Sequence, residues 1–473
     1  MDKENKVIDG IFENLENKDE ELSPCARALQ LYNGRNYDEA VKLWEECAKK
    51  DDAEALFWLA NCFMQELAGK ELSEEERIKQ GFKYALKSAE LGFVKGQHYV
   101  AVLYLNGAGV ERNCKAAVEW AKKAAAGGLV SAINTVGYLY EYGDYIEDAA
   151  EDKSKAAFNW YMKAAQSNDA AGQTNVGRCF AEGLGVARDK QEAVVWYTKA
   201  AEQGQDEAQF CLGECYDDGE GVDKNPVEAF YWYKEAAKRG HAKAACYVGY
   251  CYECGEGVSR DMAEAIKWYQ ISAQKNYAQA FCNLGCCYEE GNGVKRDLET
   301  AKKMFEAGAR LGHAMSQYNL GNIYAFGMGV KENVEEAVKW YYQAAQRGMK
   351  EAQYNLAQHI YKGLGVKQSA EQAAYWFLQA AENGDADAQY KIGSFYQNGI
   401  GVEEDEEEGF KWFLRAAKQG DSDAQYAVGM CYEEGYGVDV DLHEAREWYL
   451  RAAEQGNREA KKYLKRVNKL LGK

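Results

Sequence analysis

The chain has 473 residues and a net charge of −19, from 57 Lys and Arg against 76 Asp and Glu, which argues against a general nucleic-acid surface because phosphate neutralisation needs clustered cations. Two prolines against 46 glycines and 34 tyrosines argue against Pro-rich linkers and a disordered chain, and suit helices punctuated by glycine. The start, MDKENKVIDG, has no apolar secretion segment and no run approaches about 18 apolar residues, so a cytoplasmic protein with reduced thiols is the default expectation for its 14 cysteines.

Residues 1–22 are polar and acidic and read as a mobile tail. Residues 23–94 read as divergent helical hairpins, among them the segment Asn36–Trp44, NYDEAVKLW, which has a short turn. At Gly107, Gly109 and Val110 a Gly-x-Gly-Val element appears. Out of step with that copy, it returns at Gly183 and from there at steps of 36 residues, at Gly219, Gly255, Gly291, Gly327, Gly363, Gly399 and Gly435. One copy, EGNGVKRD from Glu290 to Asp297, resembles a phosphate cradle when viewed alone. Nine copies read instead as a repeated turn.

A tryptophan column keeps the same step at Trp160, Trp196, Trp232, Trp268, Trp340, Trp376, Trp412 and Trp448, with Met304 in the gap. Between Gly137 and Gly177 the step is 40, and the extra residues fall in the acidic stretch Asp144–Asp152, a loop insertion. Each repeat predicts two helices. The first carries Ala-x-x-x-x-x-Leu-Gly-x-x-Tyr, as at Ala314, Leu320, Gly321 and Tyr324. The second begins at a column of N-caps, Asp189, Asn225, Asp261, Asp297, Asn333, Ser369, Asp405 and Asp441. Glu or Gln three residues later predicts capping boxes in all of them except the copy with Thr300. The helix ends before Gly204, Gly240, Gly312, Gly348, Gly384, Gly420 and Gly456, or Asn276, residues suited to a left-handed C′ position. Within it, Lys339–Ala345, KWYYQAA, sets bulky aromatics one turn before alanines. Residues 459–473 read as a solitary basic helix capping the stack.

These motifs over 95–458 resemble the Sel-one-like repeat (SLR), a relative of the tetratricopeptide repeat with a longer inter-helix turn. The resemblance implies an all-α, right-handed superhelical α-solenoid of about twelve helix-turn-helix repeats. Secreted cysteine-rich relatives pair a cysteine late in one second helix with one early in the next first helix. Alanines such as Ala201 and Ala208 hold those positions here, so that scheme does not transfer.

Cys251 and Cys254, with Cys246, Cys282, Cys286 and Cys287 nearby, raise a zinc or redox possibility. Against it, Cys179, Cys215, Cys251, Cys287 and Cys431 share one column, where a small apolar core residue belongs. His98, His241, His313, His359 and His443 show no paired-ligand spacing and read as surface residues. No Walker loop, Gly-x-Ser-x-Gly or acid-base pair stands outside the repeat pattern. The expectation is therefore no enzyme, no cofactor and no metal.

What remains is surface. By analogy with tetratricopeptide relatives the first helices line the concave side, where Tyr318, Asn322 and Phe326 share a face. The Tyr318 column continues as Tyr354, Tyr390 and Tyr426, a tyrosine ladder that reads either as interaction hot spots or as packing between first helices. Asp217, Asp218, Glu253, Glu289 and Glu290 recur on an acidic rim, read either as a solvated face or as a groove for a basic segment. The sequence thus predicts an adaptor or scaffold for a protein or peptide partner, with no nucleic acid and no membrane. An enzyme regulator or cysteine-dependent enzyme on the same scaffold, or a factor exported by an atypical route, are the alternatives.

Overall fold

The computed structural model describes residues 23–143 and 152–472. The tail expected over 1–22 and the insertion residues Asp144–Glu151 lie outside the described residues. Among the described residues there are 25 helices and no strand: twelve hairpins, from Pro24–Asn33 paired with Tyr37–Ala48 to Ser422–Glu434 paired with Leu442–Glu454, and a last helix, Arg458–Leu470. The repeating helix pairs are those of a tetratricopeptide- and SLR-like solenoid. The chain divides into two compact units, one up to Trp232 and one from Tyr233, the division falling inside the helix Pro226–Lys238. Within each unit, helices adjacent in sequence pack on one another. No helix among the described residues is long and apolar enough to cross a membrane.

The glycine punctuation does what its spacing predicts. Gly291 ends the helix Ala278–Glu290 in the left-handed region (φ 78°), its N–H bonding the Cys287 carbonyl. Gly293 is also left-handed (φ 73°) and runs its backbone against the start of the preceding second helix, where a Cβ would come within 2.7 Å of Met262 Cβ. That turn is thus a packing device between consecutive repeats. The C′ residues Gly312, Gly348, Gly384 and Asn276 all have positive φ, as expected.

The capping boxes differ from the expectation. Each N-cap side chain does accept from the first turn, as Asp261 Oδ1 does from Ala263 N and Glu264 N (2.9 and 3.1 Å). In three copies the glutamate three residues on turns outward instead of back. Glu264, Glu336 and Glu408 pair with Lys267, Lys339 and Lys411 at the next helical turn. Between two exposed long side chains, an i,i+3 pair competes evenly with the reciprocal cap bond. A full box forms at Ser73 and Glu76, outside the regular repeats. In the copy with Thr300, the threonine hydroxyl donates to Asp297 Oδ2 (2.6 Å).

The deepest aromatic is not the tryptophan but the residue after it. Trp340 is half-buried, whereas Tyr341 is 1% exposed between Ala337, Ala344 and Ala345. Tyr161, Tyr269, Phe305, Phe377, Phe413 and Tyr449 hold the same place. Each of these rings except Phe377 bears on the glycine of its own first helix. A Cβ on Gly321 would lie 2.5 Å from the Tyr341 ring, and one on Gly137, Gly249 or Gly429 would lie 2.6 Å from Tyr161, Tyr269 or Tyr449. Several tryptophans lie under a cation three residues on: Lys163 over Trp160 (4.2 Å), Arg415 over Trp412 (4.3 Å) and Arg451 over Trp448 (4.4 Å).

Gly321→Val should lower unfolding stability by about 1–3 kcal/mol, the usual cost of overpacking a closed core, although valine is the better helix former. Urea denaturation followed by circular dichroism measures this. At the equivalent place in the next repeat Ala357 already stands beside Phe377, so Ala357→Gly should cost only about the helix-propensity difference of 1 kcal/mol.

Candidate protein-interaction face

The tyrosine ladder lies on the second unit, one rung per first helix, and every rung is half-buried. Each ring sits over the deep aromatic of its own repeat: Tyr318 over Tyr341 (5.9 Å), Tyr354 over Phe377 (5.6 Å), Tyr390 over Phe413 (5.6 Å) and Tyr426 over Tyr449 (5.8 Å). The ladder is therefore both packing and surface. The last rung is covered further, since Tyr463 of the C-terminal helix packs edge-on to Tyr426 at 5.4 Å. Asn322 is drawn inward, its Oδ1 accepting from the Tyr341 hydroxyl (2.8 Å). Phe326 is 73% exposed and lines a pocket of about 250 Å³ with Asn355, Gln358, His359 and Leu364.

Two rungs before Tyr318 the ladder changes chemistry, to Cys282 and Cys246. Cys246 lines a pocket of about 390 Å³ with Tyr247, Tyr250, Tyr277 and Gln279. Asn319 Nδ2 reaches both Cys282 Sγ (3.9 Å) and Cys286 Sγ (4.0 Å). The hydrogen bond with Cys286, helped by His313 and Ser316, lowers the Cys282 thiol below the usual range against the effect of burial. The core column behaves oppositely: burial pushes Cys179, Cys287 and Cys431 up to about 12. Cys254 is exposed.

The acidic rim is not uniform. Glu253 accepts from the Tyr269 hydroxyl (2.5 Å) of its own repeat's second helix. Glu141 and Glu433, which hold the same place in other repeats, accept from Tyr161 and Tyr449 (2.8 Å each). At Glu289 the second helix offers Phe305, which has no hydroxyl. Glu290 and Asp218 are exposed, and Asp217, half-buried, has Lys224 Nζ at 4.0 Å. Asp217 and Asp218 lie in the first unit, the other candidate residues in the second.

The histidines are less superficial than their spacing suggests. His241 and His313 cap first helices, accepting from Ala244 N (3.0 Å) and Ser316 N (3.3 Å). His98 and His359 are half-buried and burial lowers both pKa values; His443 alone of the five is exposed. A histidine fits a first-helix N-cap because its Nδ1 reaches the same amide as an aspartate oxygen.

The Sel1 repeat family model matches eleven consecutive segments, from 53–93 to 422–457. Among solved structures, c5321, a protective antigen of uropathogenic Escherichia coli with an SLR fold, is 30% identical over 91% of this chain and 90% of its own, with a TM-score of 0.57. A Sel1 repeat protein from Oxalobacter formigenes is 35% identical over 49% of this chain and 94% of its own, with a TM-score of 0.46.

Electrostatically, Glu289 is the position under strain. Burial, and then the charge of Glu290, raise its carboxyl above the usual range, and the nearby Arg296 guanidinium offsets only part. Arg296 is itself engaged with the Glu289 main-chain carbonyl (2.8 Å). A carboxyl whose folded pKa is raised costs stability once the pH exceeds that pKa, and the cost disappears as the pH falls through it. Glu289→Gln should accordingly raise the thermal midpoint at pH 7, and the gain should vanish below about pH 4, the unperturbed glutamate range. Calorimetry of both proteins across pH 3.5–7 checks this.

Proposed function

Because the chain belongs to the Sel1 repeat family, whose members generally mediate protein–protein interactions, we propose that it is a non-catalytic adaptor that binds a protein or peptide segment along the first-helix face of its second unit. The observation that carries this reading is the tilted or edge-on packing of Tyr318, Tyr354 and Tyr390 on buried rings. One side of each ring is covered by a buried ring while each tyrosine stays half-buried, not closed off. Tyrosines fixed in this way lose little further side-chain freedom on binding, so contact area converts into affinity with a small entropic penalty. Gln358 Nε2 donating to the Tyr354 hydroxyl (2.6 Å) fixes that rung further. The exposed Phe326 adds apolar area at the N-terminal end of the ladder, and the acidic positions Glu253, Glu289 and Glu290 favour a partner segment with basic residues.

A phage-displayed peptide library panned on the full chain supplies the ligand for the test. Peptides selected on the wild type should lose at least about tenfold in affinity for a Tyr354→Ala/Tyr390→Ala double variant, the scale of a single interface hot spot. The Tyr354→Phe/Tyr390→Phe variant should retain most of the binding. Helicity should be unchanged in both, and the alanine variant should melt somewhat lower because the rings also cover Phe377 and Phe413. Equal binding to wild type and alanine variant would remove the ladder from the function.

A further inference from the structure

In two places the chain shows what occupies its acidic rim. Arg178 Nη1 and Nη2 fork onto both oxygens of Glu141 (2.7 and 2.6 Å) from the next first helix. At the C-terminal end Arg466, on the helix Arg458–Leu470, donates from Nε to Glu433 (2.8 Å) and from Nη2 to Glu434 (2.7 Å). The two arrangements correspond, because 178 and 466 fall on the same repeat position, as do 141 and 433. In each, one carboxylate accepts a tyrosine hydroxyl from below and a guanidinium from the neighbouring first helix.

Glu289 and Glu290 repeat the Glu433 and Glu434 pair four repeats earlier, and Glu253 repeats Glu433 five repeats earlier. The residues that stand where Arg466 would be are Asn322 for the first and Cys286 for the second. Neither carries charge. Among the described residues no lysine or arginine comes within ion-pair distance of Glu253, Glu289 or Glu290, while Glu433, Glu434 and Glu141 each have theirs. The two vacant positions belong to consecutive first helices, next to the Tyr318 rung.

We propose that Glu253 and the Glu289–Glu290 pair are receptor positions for arginine guanidinium groups of a partner segment, which fills from outside the place that Arg178 and Arg466 fill from within. The inference rests on the adaptor reading above and gives the partner its chemistry. Arginine suits the site better than lysine, since its planar fork bridges two carboxylate oxygens, or two carboxylates, with a fixed geometry that a single ammonium does not match. The raised carboxyl at Glu289 accords with a charge that awaits its counter-ion. Glu253, already held by the Tyr269 hydroxyl, is pre-oriented in the same way as Glu433.

The test uses the full chain and a fluorescein-labelled glycine-serine peptide bearing two arginines, with citrulline and lysine versions of the same peptide, followed by fluorescence anisotropy at low and physiological salt. The arginine peptide should bind about tenfold more tightly than the citrulline peptide, the scale of one charge-assisted bidentate contact, and more tightly than the lysine peptide at physiological salt. Glu289→Gln/Glu290→Gln should remove that preference. The charge-matched control Glu403→Gln/Glu404→Gln, at exposed loop positions, should leave it intact. Asn322→Arg, which supplies the arginine intramolecularly, should also weaken peptide binding, with circular dichroism confirming the fold. Equal binding of the arginine and citrulline peptides overturns the proposal, as does an equal loss in the two double-glutamine variants. Either result leaves the Tyr354/Tyr390 dependence of the selected peptides standing, so failure here is separable from failure of the adaptor reading.

Discussion

The contact on which the rest of each repeat depends is a ring lying directly on a helix backbone. Where Tyr341 covers Gly321 there is no room for a methyl group, so the two helices of the hairpin approach as closely as main chain and aromatic allow. That approach determines what both faces of the hairpin can present. On one side the ring becomes the floor under Tyr318. At its far end the hydroxyl is delivered to the last turns of the first helix, where Glu141, Glu253 or Glu433 receives it, or, one turn earlier, Asn322. A single deep residue thus couples core packing to the polarity of the surface. In these four repeats the tyrosine hydroxyl is matched by a carboxylate or amide acceptor, whereas Phe305, Phe377 and Phe413 carry no hydroxyl to match.

The variation among repeats then acquires a physical meaning. Glu433 has a tyrosine below and an arginine beside it, and is 8% exposed. Glu253 has the tyrosine alone, and Glu289 has neither. Along one column the same residue type passes from fully satisfied to unsatisfied while the backbone around it hardly changes. Stability alone would favour the first arrangement everywhere, because a half-buried carboxylate without a partner is destabilising. Local departures from self-consistency of this kind are where proteins carry function.

How much of this was legible in the sequence follows from the range of the interactions involved. The 36-residue step, the left-handed glycines such as Gly291 and Gly312, and the N-caps such as Asp261 depend on a few neighbouring residues, and spacing alone revealed them. The Trp340 column was equally visible, but spacing did not show that Tyr341, one residue on, is the ring directed at Gly321. Half-burial of the Tyr318 column could not be read either, since it depends on a ring some 23 positions away that sits under one face only. The acidic rim appeared uniform because periodicity records residue type and not its partner. Comparing the glutamate column with both the aromatic column of its own repeat and the following first helix would have separated Glu433 from Glu289. The outward turn of Glu264, Glu336 and Glu408 toward lysines was a contest between two short-range bonds of similar strength, which propensity does not decide.

The last helix has a consequence for how such a chain changes length. From residue 170 to 457 any stretch of 36 residues begins and ends at equivalent points of the repeat, so duplicating or deleting one joins a glycine turn to the same kind of second helix it already met. Arg458–Leu470 is not interchangeable in this way. Its Arg466 needs the Glu433 and Glu434 pair and its Tyr463 needs Tyr426 and Tyr449, a combination specific to the final hairpin. Lineages that gain or lose modules are therefore expected to do so upstream, with residues 422–470 inherited together as a terminal block.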